Sequence, residues 1–455
     1  MDSGLSFENA FFTMIKQLKG SYAILAVYAS EPDKIMAARM DAPLVIGLGD
    51  GDNYVGSDVL AFLPYTKKVI YLNEGEAAVI SKEKVTVYDG DHNEVTYKPE
   101  LVNWEWKEGN KGSYDYFMMK EIEEQPRTIR QALLQDDKAL MKMAMTIRRA
   151  RQVVFVACGT SRHAALIGRY AFSKIGQIFS DVVMGSEFGY FSDSIDKGTV
   201  VIAISQSGET ADVLNGIREA KAKGATIYSL VNVVGSSLAR LSDQVLYLNC
   251  GPEIAVAATK SFTSQLCLLY QLAFALDDRL QEGKSKLKGL SNIVESNMDL
   301  YSTSLPALAY KLRNKTDFYF LARGVNFAVA DEGALKLKEI AYVHAEGMPA
   351  GELKHGTLAL ISDGTPVVAI CPLDYTYEDS IANLMEAKAR GAYIVGVSNA
   401  QSMIFDDSIK ISSCEEILYP IVTIIPLQIL AYYSAIARGF NPDKPRNLAK
   451  SVTVK

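Results

Sequence analysis

Histidine is scarce: the 455 residues hold four, His92, His163, His344 and His355. With so few, a metal site is not expected, and no cofactor is expected either. The five cysteines, Cys158, Cys250, Cys267, Cys371 and Cys414, are scattered, with no C-x-x-C pair. That excludes a disulfide framework and a zinc ribbon, and fits a reducing, cytoplasmic setting. Positive charge is not in excess. The net charge of −6 argues against general nucleic-acid or anionic-membrane binding. The start, Met1-Asp2-Ser3-Gly4, has no basic or apolar signal-peptide region. Long apolar runs are rare too. Tyr419 to Ala437 is free of charge but contains Pro420, Pro426 and Gln428. A spanning helix needs about 20 mostly apolar residues, so this one is expected to be a buried core helix.

What is present is an ordinary soluble composition, 49% apolar and 22% charged, long enough for two to four domains. Residues 1–113 carry strand signals, such as Tyr22-Ala23-Ile24-Leu25, Leu44-Val45-Ile46, Val69-Ile70-Tyr71 and Val85-Thr86-Val87. A short helix is expected over Phe7 to Leu18. The glycines Gly47, Gly49 and Gly51 have the wrong spacing for a dinucleotide loop and predict a hairpin turn. From Tyr114 the apolar spacing turns helical.

Beyond residue 150 the chain repeats itself. Val153-Val154-Phe155-Val156-Ala157 matches Phe318-Tyr319-Phe320-Leu321-Ala322, and Val200-Val201-Ile202-Ala203-Ile204 matches Pro366-Val367-Val368-Ala369-Ile370. Gly224 matches Gly391, and the offset stays at 165–167 positions throughout. Each copy alternates buried strands with helices, which predicts two parallel sheets covered by helices. The copies differ where ligands of such sheets sit, beyond the carboxyl ends of strands. The first has Ser205-Gln206-Ser207-Gly208-Glu209-Thr210 between a strand and a helix. That turn aims backbone N–H groups, a helix dipole and neutral hydroxyl donors at one point, as a phosphate monoester requires. The plain alternative is a helix start capped by Ser or Thr. Ser161, in Cys158-Gly159-Thr160-Ser161, ends another strand and should face the same crevice. The second copy has Cys371-Pro372-Leu373-Asp374 in place of the hydroxyl-rich turn.

Several long motifs then stand in one order. They are the two turns above, Glu332-Gly333-Ala334-Leu335-Lys336-Leu337-Lys338-Glu339, Gly351-Glu352-Leu353-Lys354-His355-Gly356, and the tail Pro445-Arg446-Asn447-Leu448-Ala449-Lys450-Ser451-Val452-Thr453-Val454. From about residue 115 onward the chain resembles the glucosamine-6-phosphate synthase family, the isomerising glutamine:fructose-6-phosphate aminotransferases. Residues 1–110 resemble the second half of that family's glutaminase domain, an N-terminal-nucleophile hydrolase. The resemblance implies an α/β fold of two tandem sugar-isomerase (SIS) domains, preceded by a partial, β-rich glutaminase domain. The units expected are the glutaminase half at 1–113, a helical linker at 114–143 and a sugar-phosphate-binding SIS domain at 144–284. A helical connection at 285–308, a second SIS domain with the isomerase chemistry at 309–445 and a catalytic tail at 446–455 follow.

The resemblance also implies roles. Ser161, Ser205, Gln206, Ser207 and Thr210 would hold the phosphate of fructose 6-phosphate, with Val256, Ala258 and Ala449 lining the sugar. Many relatives carry Ser where Ala258 stands. Lys450 would form a Schiff base with the C2 ketone, and Glu339 would move a proton between C1 and C2. Lys336 would assist, and His355 would open the ring from the neighbouring subunit of a homodimer. The product would be glucosamine 6-phosphate, for amino-sugar biosynthesis. Taken singly, these residues are bland: Lys336 and Glu339 make a surface ion pair, His355 a structural histidine, and Lys450 a solvated lysine. The family's glutaminase needs an N-terminal cysteine, and here the first cysteine is Cys158. A truncation, a split enzyme with a partner bearing the missing half, and an ammonia-using chain are all compatible with that. Two other readings of the domains stand beside the synthase: a deglycase acting on fructosamine phosphates, and a sugar-phosphate-binding regulator.

Overall fold

The computed structural model describes residues 4–102 and 110–453. Met1 to Ser3 and Val454 of the tail motif lie outside the described residues, as do 103–109 of the first expected unit.

The N-terminal part is two antiparallel sheets. One has the order β1 (Tyr22–Tyr28), β2 (Glu31–Met40), β6 (Ala77–Ile80), β7 (Val85–Tyr88), β8 (Glu94–Val95). The other runs β4 (Asn53–Gly56), β3 (Val45–Leu48), β5 (Lys68–Tyr71), β9 (Glu100–Leu101). Strands β3 and β4 form the hairpin that the glycine spacing predicts. Ala37, Ile46, Ile70, Leu72 and Ile80 fill one core. Phe7, Phe11 and Phe12 of the helix Phe7–Ile15 pack with Met36 and Ala38 in a second. The edge strand β1 leaves Leu25 and Val27 exposed on alternate positions.

Three helices, Phe117–Glu123, Gln125–Ala132 and Asp137–Arg149, lead into the repeated body. Its first sheet is wholly parallel, in the order β11 (Asp181–Met184), β10 (Gln152–Ala157), β12 (Thr199–Ser205), β13 (Thr226–Val231), β14 (Gln244–Tyr247). The second repeats that order with β16 (His344–Pro349), β15 (Asp317–Ala322), β17 (Pro366–Ile370), β18 (Tyr393–Ser398) and β19 (Asp407–Lys410). The order reverses between β10 and β12, and between β15 and β17. A crevice opens at the strand ends there.

The two sheets share one core. The helix Lys260–Leu276 has every residue buried, including its lysine, serines and glutamines. It is apolar around most of its circumference, as a helix enclosed on all sides must be. Several of its polar groups are bonded: Gln271 Nε2 donates to Ala132 O and Thr263 Oγ1 donates to Gln125 Oε1. The helix Leu280–Lys311 extends beyond the expected connection at both ends. By length and composition Glu416–Ala437 would suffice to cross a membrane, yet 83% of its most apolar window is buried inside the molecule. Its helix, Tyr419–Ala437, packs in the common core with Leu266, Leu269, Ile340 and Leu337. Each large apolar side chain buried there contributes about 1.5–3 kcal/mol.

Candidate active site

The first crevice is a cavity of about 250 Å³. It gathers residues from four separate stretches: Cys158 to Ser161 after β10, Ser205 to Ser207 and Thr210 after β12, Val256 and Ala258, and Leu448 to Lys450 with Val452 of the tail. Glu339 closes it from the second half. Every expected substrate-lining residue lies on this wall: Ser161, Ser205, Gln206, Ser207, Thr210, Val256, Ala258 and Ala449, with Lys450 and Glu339.

The turn after β12 gathers polar donors at the mouth of the cavity. Gly208 adopts φ +66°, a left-handed conformation that glycine takes without strain. Gly208 N–H donates to Ser205 Oγ (3.1 Å) and Glu209 N–H to Ser207 Oγ (3.2 Å). Ser205 Oγ lies 2.9 Å from Thr210 Oγ1. Ser207 accepts within the turn and keeps its O–H hydrogen to donate, and of the Ser205–Thr210 pair one hydroxyl keeps its own. The plain capped start does not hold. Thr210 occupies the cap position without a side-chain cap bond, and Ala211 N–H donates instead to Val452 O of the tail (3.1 Å). Ser161 Oγ accepts from Gln265 Nε2 at 2.9 Å.

Lys450 is not a solvated lysine. Its Nζ sits 2.6 Å from Glu253 Oε2, a wholly buried carboxylate, and its own side chain is 23% exposed. Burial is the largest influence on Glu253 and pushes it up. The Lys450 charge and the N–H groups of Ser261 and Thr259 outweigh that and hold it below the usual carboxylate range. Beneath it Glu121, also buried, accepts from Ile254 N–H and Ala255 N–H. Burial, then the Glu253 charge, push the Glu121 carboxyl well up.

Lys336 and Glu339 are not a surface pair either. Lys336 is fully buried, with Nζ 2.6 Å from Glu339 Oε2, 3.2 Å from Glu332 Oε1 and 3.0 Å from Thr160 Oγ1. Burial would lower its pKa, but the charges of Glu332 and Glu339 outweigh burial and hold it raised. Glu332 accepts from Thr160 Oγ1 (3.0 Å) and lies 2.7 Å from His163 Nδ1. The row His163, Glu332, Lys336, Glu339 therefore runs from one half of the body into the other and ends at the cavity. His355 is exposed at the end of the turn Ala350–His355 and does not line this cavity. The Cys158 thiol is raised by burial, which suits packing better than nucleophilic work.

Sequence reasoning missed Thr160 and Glu332 as neighbours of Lys336, His163 as the neighbour of Glu332, and Glu253 as the partner of Lys450. Glu332 had a signal, since it precedes Lys336 by one helical turn. Glu253 is 197 positions from Lys450 and had none. A roomier depression of about 800 Å³ lies at Ser398 to Met403 with Ser408 and Lys410. Its lining brings no carboxylate to its lysine, so it lacks the groups for acid–base work.

A curated relative in Thermococcus kodakarensis, glutamine–fructose-6-phosphate aminotransferase [isomerizing], is 46% identical over 99% of this chain and 77% of its own length. The chain belongs to the family of isomerising glutamine–fructose-6-phosphate aminotransferases. A Methanothermobacter thermautotrophicus member of that name is 42% identical over all of this chain and 77% of its own. The SIS domain family model matches residues 146–275 and 311–438, the two halves of the body. Among solved structures, the C-terminal domain of glucosamine-fructose-6-phosphate aminotransferase from Francisella tularensis superposes with a TM-score of 0.68 at 33% identity. It covers 74% of this chain and all of that one. Tagatose-6-phosphate ketose/aldose isomerase from Escherichia coli shares the fold, with a TM-score of 0.63 at 17% identity over 74% of this chain and 97% of its own.

Proposed function

We propose that this member of the aminotransferase family converts fructose 6-phosphate and ammonia to glucosamine 6-phosphate and water in the Ser205–Thr210 cavity. The observation that carries the reading is the convergence of an anion-binding turn, Lys450 and Glu339 on one cavity. The ion pair with Glu253 holds the Lys450 ammonium at the cavity; once that ammonium gives its proton to solvent, the free amine attacks C2 of the open-chain sugar. Water leaves and an imine forms. Ammonia displaces the lysine, and Glu339 then carries a proton from C1 to C2, converting the ketose imine into the amino aldose. Lys336, held charged, orients Glu339. His355 opens the ring from the partner subunit of a homodimer, in keeping with its place outside its own subunit's cavity. Nitrogen arrives as ammonia, free or released from glutamine. The setting is cytoplasmic. A binding-only regulator has no use for a lysine held on a buried carboxylate, nor for the Lys336–Glu339 pair.

The test measures product formation from fructose 6-phosphate with ammonium and with glutamine side by side, followed by borohydride trapping. Synthesis with ammonium and a reduced adduct on the peptide containing Lys450 are expected. Full synthesis by Lys450→Ala, or trapping elsewhere, overturns the mechanism.

A further inference from the structure

One residue of the phosphate turn has no place in the chemistry above. Glu209 is a carboxylate inside a turn shaped for a phosphate, where its negative charge opposes binding. It does not face the sugar cavity. Its carboxylate turns back and is buried, accepting from Ser237 N–H at 2.6 Å and from Ser237 Oγ–H at 2.8 Å.

The counter-charge comes from the N-terminal sheets. Arg39, near the end of β2, is only 2% exposed, and its Nη2 lies 3.8 Å from Glu209 Oε2. The same guanidinium donates to Leu72 O (3.1 Å), to Glu74 Oε1 (2.8 Å) and to Ser237 Oγ (3.5 Å). Arg240 adds bonds to Ser237 Oγ (3.3 Å) and to Leu72 O (3.5 Å). A second bridge joins the same partners: Arg218, on the helix Ala211–Ala222 that follows the turn, pairs with Glu74 at 3.1 Å and Asp41 at 3.4 Å. The fit is tight. A Cβ on Gly235 would stand 2.4 Å from the Tyr71 ring. Yet among the described residues none of the N-terminal sheets lines the sugar cavity.

We propose that Arg39 is a positioning residue for the sugar-phosphate turn: by neutralising and anchoring Glu209, the N-terminal sheets set the affinity of a site that none of their described residues lines. The geometry gives two reasons. Glu209 is adjacent to Gly208 and Thr210, so fixing its carboxylate fixes the left-handed step between the hydroxyl donors. And an ion pair with a buried guanidinium removes a negative field that a phosphate dianion would otherwise meet at short range. Burial pushes the Glu209 carboxyl up, and the bonds from Ser237 and the charges of Arg39 and Arg240 work against that.

The inference rests on the sugar-phosphate reading of the cavity, and the experiment separates the two. Steady-state kinetics with fructose 6-phosphate and ammonium, and calorimetry with inorganic phosphate, are run on the full chain at about pH 8 and again at about pH 9, since burial raises the Glu209 carboxyl. Arg39→Met is expected to raise KM and the phosphate Kd about tenfold or more, with kcat changed less than twofold. Arg39→Lys, which keeps a cation but not the fork, should fall between, whether or not Arg39→Met folds. Adding Glu209→Gln to Arg39→Met should recover much of the lost affinity, since the uncompensated charge is gone. A merely structural role would lower folded yield and kcat without moving the phosphate Kd, and Glu209→Gln would not rescue it. An unchanged KM and phosphate Kd in folded Arg39→Met and Arg39→Lys overturns the inference alone. Failure of the wild type to bind phosphate or fructose 6-phosphate overturns it together with the proposed function.

Discussion

Replacing Lys336 by methionine would leave two carboxylates facing each other without their cation. Lys336 and Glu332 are both fully buried, whereas Glu339 is 21% exposed and shares its charge with solvent. Removing one partner of a buried pair costs about 3–5 kcal/mol. Most of that should fall on Glu332, which has no water to turn to. In the wild type burial pushes Glu332 up, but Lys336 and His163 outweigh it and hold it depressed. A depressed carboxylate stabilises the fold above its unfolded pKa, and that stability is lost as pH falls through the folded value. In Lys336→Met burial acts with less opposition and the sign inverts. The folded variant keeps Glu332 protonated while the unfolded chain ionises it, so its deficit grows as pH rises, by up to about 1.4 kcal/mol per pH unit. Guanidinium unfolding followed by circular dichroism at about pH 5 and about pH 8 reads this directly. The gap to wild type should be several kcal/mol at the higher pH and clearly smaller at the lower. Adding Glu332→Gln, which keeps an acceptor for Thr160 and His163 without charge, should close most of it. An equal gap at both pH values, or no gain from the second substitution, would refute the argument.

Three further outcomes can be checked. Burial and the Glu253 charge hold the Glu121 carboxyl raised, so the fold loses stability as pH climbs above the ordinary carboxylate range. Glu121→Gln should therefore gain on wild type between about pH 5 and about pH 8, and a constant difference in unfolding free energy would count against it. Gly208→Ala places a Cβ 2.1 Å from Ser236 Oγ in a left-handed conformation that costs an L-residue about 1–2 kcal/mol. Calorimetry should show weaker fructose 6-phosphate binding, and wild-type affinity would mean that the turn does not hold the phosphate. If His355 serves the partner's cavity, mixing inactive His355→Ala and Lys450→Ala subunits should restore about a quarter of wild-type activity. No recovery in an exchanged mixture would place His355 in its own subunit's chemistry or outside it.

Much of the site was legible because it is local. The turn at Ser205–Thr210 and the helix bearing Lys336 and Glu339 each lie within a few residues, and the repeat shows itself at a constant offset. Strand β2 was not legible. Met36 to Arg39 are buried in succession, so the alternation that marks a strand is absent, and a buried arginine reads as a surface residue. The pairings of Lys450 with Glu253 and of Arg39 with Glu209 were equally hidden. They join residues far apart in sequence, and only the packed fold brings them together. The burial of Lys336 followed from a helix trapped between two halves, a property of the duplicated body rather than of its own sequence.

The single core beneath both sheets limits how substrate can come and go. With the helix Lys260–Leu276 enclosed on every side, the cavity walls cannot swing apart like hinged jaws. Passage falls to the terminal ribbon, which carries Lys450 and is fastened by Val452 O to the first N–H of the helix Ala211–Ala222. If Lys450 performs the proposed covalent step, its segment is also the latch, and turnover would be timed by how often that latch lifts.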